Sequence, residues 1–170
     1  MAAPRAAPGW ATSHWLNTPA PITLDGLRGR VVLAVAFQML CPGCVSHGLP
    51  QAMRARAAFA AEDLAVIGLH TVFEHHVAQG TRQALAAFLH EYRIDIPVGI
   101  DAPSDEGIPQ TMRAYQMQGT PTTILIDRAR MLRLHKFGHL EDLRLGAAIQ
   151  ALIGENTSAA QPGPVAASDG

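Results

Sequence analysis

The 170-residue sequence has few of the features that mark nucleic-acid-binding or membrane-spanning proteins. Charged residues make up 16% of the chain, the formal net charge is -1, and no block of Lys and Arg provides the basic surface that a phosphate backbone selects. No stretch reaches the roughly 18 consecutive apolar residues that a membrane helix needs. We therefore expect no nucleic-acid partner and no membrane span.

The N-terminal residues MAAPRAAPGWATSHW contain no apolar run of the kind found in a signal peptide. This absence predicts a cytoplasmic protein, or a periplasmic one if a leader has been removed.

Cysteine is also scarce, with only Cys41 and Cys44 present. A disulfide between residues three positions apart closes a loop too small to constrain the unfolded chain much, so it would contribute little to stability. The value of this pair must therefore lie in chemistry, if it has any.

Hydrophobic residues form 48% of the sequence, enough for one sizeable core, and the length favours a single domain. Residues 1–20 are rich in Pro and Ala and are predicted to form an arm laid over the domain. Residues 21–154 form the predicted domain. Residues 155–170 have almost no large apolar side chains to offset the entropy of ordering, so they are predicted to be a disordered tail.

Apolar runs of strand length alternate with segments of helical periodicity across residues 21–154. The predicted strands are Val31–Phe37, Leu64–Leu69, Ile96–Ile100, Thr122–Ile126 and Met131–Phe137. The predicted helices are residues 42 to about 63, Thr81–Tyr92, Glu106–Tyr115 and Leu140–Leu152, the last with Gly154 as its C-cap. This order predicts an α/β fold, a mixed central sheet flanked by helices on both faces.

The two cysteines directly follow the first buried strand, at the predicted start of a helix. Pro42 suits the first helical position, which places Cys41 at the N-cap. Unpaired backbone N–H groups and the helix dipole favour an anion there, and such an environment lowers the pKa of a thiol from about 8.5 to roughly 3.5–7.5. Cys41 is therefore the predicted attacking thiolate, and Cys44, one turn further on, the resolving thiol.

Two other interpretations of the cysteine pair remain open. It could be half of a zinc site, although the chain has no second C-x-x-C and no H-x-x-x-H pair beside the first. It could also be two unrelated buried cysteines.

The segments Leu24 to Leu33 (LDGLRGRVVL), Cys41 to Cys44 (CPGC) and Gly119 to Asp127 (GTPTTILID) resemble motifs of the thioredoxin superfamily. Within it, the resemblance over residues 16–153 is to the TlpA/ResA-like thiol-disulfide oxidoreductases. It implies a thioredoxin-like fold with a helix-strand insertion between His70 and Ile100. It also implies exchange of the Cys41–Cys44 dithiol or disulfide with protein substrates and with an unidentified electron donor. We expect no cofactor and no metal.

The resemblance also implies a substrate-binding surface beside Cys41. In this family the proline of the second motif, here Pro121, follows a cis peptide bond, and it would dock an incoming peptide together with the Thr120 backbone. Leu40, Pro42 and Gly43 complete the implied surface. Taken alone, Pro121 could equally be an ordinary proline at the start of a strand.

Three positions depart from the family pattern. Leu40 replaces the usual tryptophan before the first cysteine, Val35 replaces the buried acid of thioredoxin, and His47 replaces a frequent glutamate. We hypothesise that His47 carries the proton to or from Cys44. The alternative is a solvated histidine on the helix surface.

Four further histidines, His70, His75, His76 and His90, gather in the implied insertion. Adjacent histidines cannot easily face one ion from a regular element, and no carboxylate is spaced to complete a site. We therefore predict that this cluster holds no metal.

Two competing functions can be weighed against disulfide exchange. A peroxiredoxin-like peroxidase would need a threonine where Gln38 stands and an arginine within residues 116–126, which contain none. A redox-inert binding module would use the groove at Pro121 for peptides without exchanging disulfides.

Overall fold

The computed structural model describes residues 3–159, with side chains through residue 155. The strands are β1 (Arg5–Ala6), β2 (Thr12–Leu16), β3 (Val31–Phe37), β4 (Leu64–His70), β5 (Val98–Asp101), β6 (Thr122–Ile126) and β7 (Met131–Phe137). The α-helices are α1 (Leu49–Ala58), α2 (His76–Gln79), α3 (Arg82–Glu91), α4 (Gln110–Ala114) and α5 (Asp142–Ala159). A 3-10 turn, Asp25–Leu27, precedes β3, and a π-helical turn, Cys44–Gly48, leads into α1.

The seven strands within residues 3–159 form one mixed sheet in the order β1-β7-β6-β3-β4-β5-β2. Strands β3, β4 and β5 are parallel, while β6 runs antiparallel to β3, and β7 antiparallel to β6. The predicted α/β fold with a mixed central sheet is thus confirmed, and β6 and β7 form a hairpin. The predicted helix-strand insertion is also confirmed: α2, α3 and β5 follow β4.

The strands β3 and β4 are buried on both faces because helices cover the sheet on both sides. Alternate residues of β3 therefore enter two different hydrophobic clusters. The first cluster joins Val31, Leu33, Val35 and Phe37 to Leu49, Leu85, Leu89, Leu145 and Ile149 of α1, α3 and α5. The second joins Val32, Ala34 and Ala36 to Leu24, Leu27, Met112 and Tyr115. Because β3 lies at the centre of the sheet, whatever follows it is held by both halves of the core.

The N-terminal segment, predicted as an arm, supplies both border strands of the sheet. Strand β1 pairs antiparallel with β7 at one edge, and β2 pairs antiparallel with β5 at the other. Between them, the indole N–H of Trp10 donates a hydrogen bond to the carbonyl of Ile22 at 2.7 Å. The segment is therefore integrated into the sheet by backbone pairing.

Helix α5 continues beyond the predicted C-cap at Gly154 and reaches Ala159. The predicted disordered tail, residues 155–170, thus begins within this helix, and its part from residue 160 onward lies outside the described residues. Within residues 3–159, no helix has both the length and the apolar character needed to cross a membrane.

Candidate active site

The dithiol lies where the central strand β3 ends and a helix begins. The helical conformation starts at Pro42, so Cys41 is the last residue before it. The Cys41 carbonyl accepts hydrogen bonds from the backbone N–H groups of Cys44 (3.1 Å) and Val45 (3.2 Å). The Cys44 N–H also lies 3.2 Å from the Cys41 Sγ. A sulfur held against helix N-terminal N–H groups is in a place that favours negative charge.

Cys41 and Cys44 form a disulfide, with their Cα atoms 5.2 Å apart. The two sulfurs differ in accessibility, since Cys41 is partly exposed whereas Cys44 is 0% exposed. An incoming disulfide can therefore approach Cys41 directly. It can reach Cys44 only through Cys41 or after the local structure opens.

The surroundings of Cys44 are apolar. It belongs to the core cluster that contains Val35 and Leu49. Val35, at the position where thioredoxin has a buried acid, is 1% exposed and packs within this core. A carboxylate from this position of the central strand is therefore not available to Cys44.

The Thr120–Pro121 segment completes one wall of the site. Its peptide bond is cis, as the family resemblance implies. The Thr120 carbonyl oxygen lies 3.4 Å from the Cys41 Sγ. Pro121 is buried against the start of the helix, so closely that a Cβ added at Gly48 would lie 3.0 Å from the Pro121 Cβ. The structure thus brings both sequence motifs to one place.

The remaining predicted substrate-binding residues lie around the exposed side of Cys41. Leu40 is 55% exposed although it is a large apolar residue. Pro42 and Gly43 are also exposed.

His47 is half-buried and contacts the loop before α5. Its Nε2 lies 3.0 Å from the Leu140 carbonyl oxygen, and its ring centroid is 3.9 Å from that of His139. These contacts place the ring against another part of the chain, unlike a fully solvated histidine. The structure describes no contact between His47 and Cys44, so the proton-relay hypothesis stays a prediction.

The four histidines of the insertion do not share one environment. His70 is 2% exposed at the end of β4, where its ring lies 5.2 Å from that of Phe37. Burial lowers the pKa of His70 to about 4. His75, His76 and His90 are exposed. Among residues 3–159, no group of three or more His, Cys, Asp or Glu side chains is arranged to hold a metal ion.

Two buried glutamines at the site were not identified from the sequence as site residues. The amide nitrogen of Gln38 donates to the Thr120 hydroxyl at 3.2 Å, and the Gln79 carbonyl oxygen accepts from the Leu40 backbone N–H at 3.0 Å. No local pattern marks them, because their role depends on contacts between distant segments.

Solved structures with the same fold support the family assignment. A thioredoxin-like superfamily protein is 55% identical, with a TM-score of 0.86, over 88% of this chain and 96% of its own. A thiol-disulfide isomerase from Corynebacterium glutamicum is 41% identical, with a TM-score of 0.82, over 86% of this chain and 96% of its own.

A more distant structure shows the same fold. The thioredoxin domain of a thiol-disulfide oxidoreductase from Bacteroides vulgatus is 16% identical, with a TM-score of 0.70, over 90% of this chain and 99% of its own. No protein-family profile and no curated protein sequence matches the chain. The identity and coverage of the first two structures, together with the C-P-G-C and cis-proline motifs in one site, show that the chain belongs to the thioredoxin-like superfamily.

Proposed function

We propose that this protein is a thiol-disulfide oxidoreductase that exchanges its Cys41–Cys44 pair with protein substrates. The observation that carries the proposal is the asymmetry of the disulfide at the helix start. Cys41 is accessible beside Thr120 and Pro121, and Cys44 is buried behind it. This arrangement suits one thiol that attacks a partner and a second that acts only within the protein.

The reduced protein transfers two electrons in two steps. The Cys41 thiolate attacks one sulfur of a substrate disulfide, forms a mixed disulfide and releases the other substrate sulfur as a thiolate, which takes up a proton. Cys44 then loses its proton and attacks the Cys41 Sγ. The Cys41–Cys44 disulfide forms, and the second substrate sulfur leaves as a thiol. A donor dithiol reverses these steps on the protein and regenerates the reduced pair.

The surface around Cys41 supports an extended polypeptide as the substrate. Leu40, Pro42 and Gly43 are exposed next to Cys41 in the chain, and the Thr120 carbonyl oxygen lies 3.4 Å from the Cys41 sulfur. We propose that a substrate segment lies along Thr120 while apolar side chains contact Leu40.

His47 is proposed to exchange a proton with Cys44 during the second step. It stands three residues after Cys44 in the same helical segment, and its ring is half-buried. Val35 brings no acid to Cys44 from the central strand, so another group must accept that proton.

Trapping variants test the proposed function. The Cys44→Ser variant is expected to accumulate a mixed disulfide with a protein substrate through Cys41, because the resolving thiol is missing. The Cys41→Ser variant is expected to lose insulin reduction completely. Non-reducing mass spectrometry and insulin turbidity measure these outcomes. Insulin reduction by Cys41→Ser at the wild-type rate would refute the proposal, and a hydroperoxide assay on the wild type tests for a peroxidase instead.

A further inference from the structure

Gln38 and Gln79 form a buried amide pair next to the dithiol. Each is 1% exposed, although glutamine is usually found at the surface. The Gln79 amide nitrogen donates to the Gln38 carbonyl oxygen at 3.0 Å. A buried amide that loses its partners costs about 1–3 kcal/mol, so such a pair persists only where it is well bonded.

The direction of every hydrogen bond in this pair follows from one backbone group. The Leu40 N–H can only donate, so the Gln79 carbonyl oxygen must accept from it. The Gln79 nitrogen then faces Gln38 and the Glu74 carbonyl, to which it donates at 2.8 Å. As a result, the Gln38 nitrogen is left to donate toward Thr120.

Gln38 also binds the insertion and the dithiol loop. Its side-chain oxygen accepts from the Phe73 N–H at 3.3 Å, and its nitrogen lies 3.4 Å from a carboxylate oxygen of Glu74. Its backbone carbonyl accepts from the Cys41 N–H at 3.2 Å. One amide pair therefore connects the residues on both sides of the reactive sulfur, Leu40 before it and Thr120 across from it.

We propose that Gln38 and Gln79 are positioning residues that hold Leu40, Cys41 and Thr120 in the arrangement that accepts a polypeptide disulfide. This inference rests on the proposed function and adds a role for the insertion, since Gln79 ends α2. A polypeptide must fit along Thr120 and Cys41 at once, and both depend on the pair. A small soluble disulfide needs only to reach the partly exposed Cys41.

The test compares reduced wild type and variants in single-turnover reactions with insulin and with dithiobis-nitrobenzoate. Gln79→Met keeps the side-chain length but removes the amide. Gln79→Met removes three hydrogen bonds, and the loss of even one of them in the reacting complex corresponds to a rate about five- to tenfold lower. We expect that loss with insulin and less than a twofold change with the small disulfide. Gln51→Met is the matched control, because Gln51 is also buried but its amide nitrogen donates to the Leu140 carbonyl and to Asp142.

A second variant provides a pH-dependent rescue. In Gln79→Glu, a protonated carboxyl can accept from Leu40 and donate to Gln38, whereas the ionised form can only accept. Its insulin rate relative to the wild type is expected to rise as the pH is lowered, while the relative rate of Gln79→Met stays constant. The small disulfide is measured over the same pH range, because a general loss of stability from a buried carboxylate would lower both rates, whereas loss of positioning lowers only the insulin rate.

The outcomes separate the two proposals. If the wild type reduces neither disulfide, the proposed function fails, and this inference fails with it. If the wild type reduces both but Gln79→Met slows them equally, or Gln79→Glu shows no recovery at low pH, the positioning role alone is refuted. A selective loss with insulin in Gln51→Met would refute it as well.

Discussion

His70 makes the stability of the fold depend on pH in a defined direction. Burial lowers its pKa from 6.5 to about 4 in the folded protein, while an unfolded chain retains the ordinary value. Between these two values the unfolded state binds the proton and the folded state does not. The free energy of unfolding contributed by neutral His70 is therefore fully present above about pH 6.5 and is lost as the pH falls toward about 4.

The loss follows from the two pKa values. Proton linkage gives a loss of roughly 1 kcal/mol at pH 5.5 and roughly 2–3 kcal/mol at pH 4.5, with an upper limit of roughly 3–4 kcal/mol at lower pH. Urea denaturation of the wild type and of His70→Phe, from about pH 7.5 to 4.5, measures this loss in the free energy of unfolding. Since Phe cannot be protonated, the wild type should lose this amount relative to the variant.

A control variant at a second histidine tests whether the effect belongs to His70 alone. His90→Phe removes an exposed histidine from the same insertion, so the loss due to His70 should persist in it. If wild type and His70→Phe lose stability in parallel on acidification, the folded protein already accommodates a protonated His70, and the reasoning is wrong.

Two other substitutions probe the walls of the site. His47→Ala should change the pH profile of insulin reduction, because His47 is proposed to carry a proton for Cys44. His139→Ala is the control, since it removes the same ring contact but keeps His47. An unchanged profile in His47→Ala would contradict the proton relay. Gly48→Ala should lower the free energy of unfolding by about 1–2 kcal/mol, because its Cβ would lie 3.0 Å from the Pro121 Cβ. The control is Gly146→Ala in α5, where an added Cβ has nothing within 4 Å, so this variant should slightly raise the free energy of unfolding in the same urea experiment. If Gly48→Ala is as stable as the wild type, Pro121 moves aside without cost and the prediction is wrong.

The parts of the fold that the sequence predicted well are those with a local signal. Val31–Phe37 is a continuous apolar run bounded by polar or small residues, and it matches β3 residue for residue. The dithiol could be placed at a helix start because Pro42 restricts the backbone locally. The Gly119 to Asp127 motif placed Pro121 beside Cys41 only through family resemblance, since no physical rule connects residues 80 positions apart.

Features that depend on contacts between residues far apart in the chain could not be predicted from the sequence. The polar segment Thr12–Leu16 becomes a strand because it pairs with β5, and its own pattern carries a weak strand signal. Gln79 lies in a short helix without clear periodicity, so its burial against Leu40 could not be anticipated. Helix α5 passes Gly154 because a glycine permits a helix to end but does not require it.

The pairing of β1 and β2 with opposite borders of the sheet imposes an order on assembly. Both strands are synthesised before their partners, since Leu16 of β2 pairs with Val98 of β5 and Arg5 of β1 pairs with Leu132 of β7. Until β7 has been made, β1 lacks the strand with which it pairs. Deleting the first sixteen residues would leave the outer edges of β5 and β7 unpaired in the folded protein, so such a truncation should aggregate even with an intact dithiol.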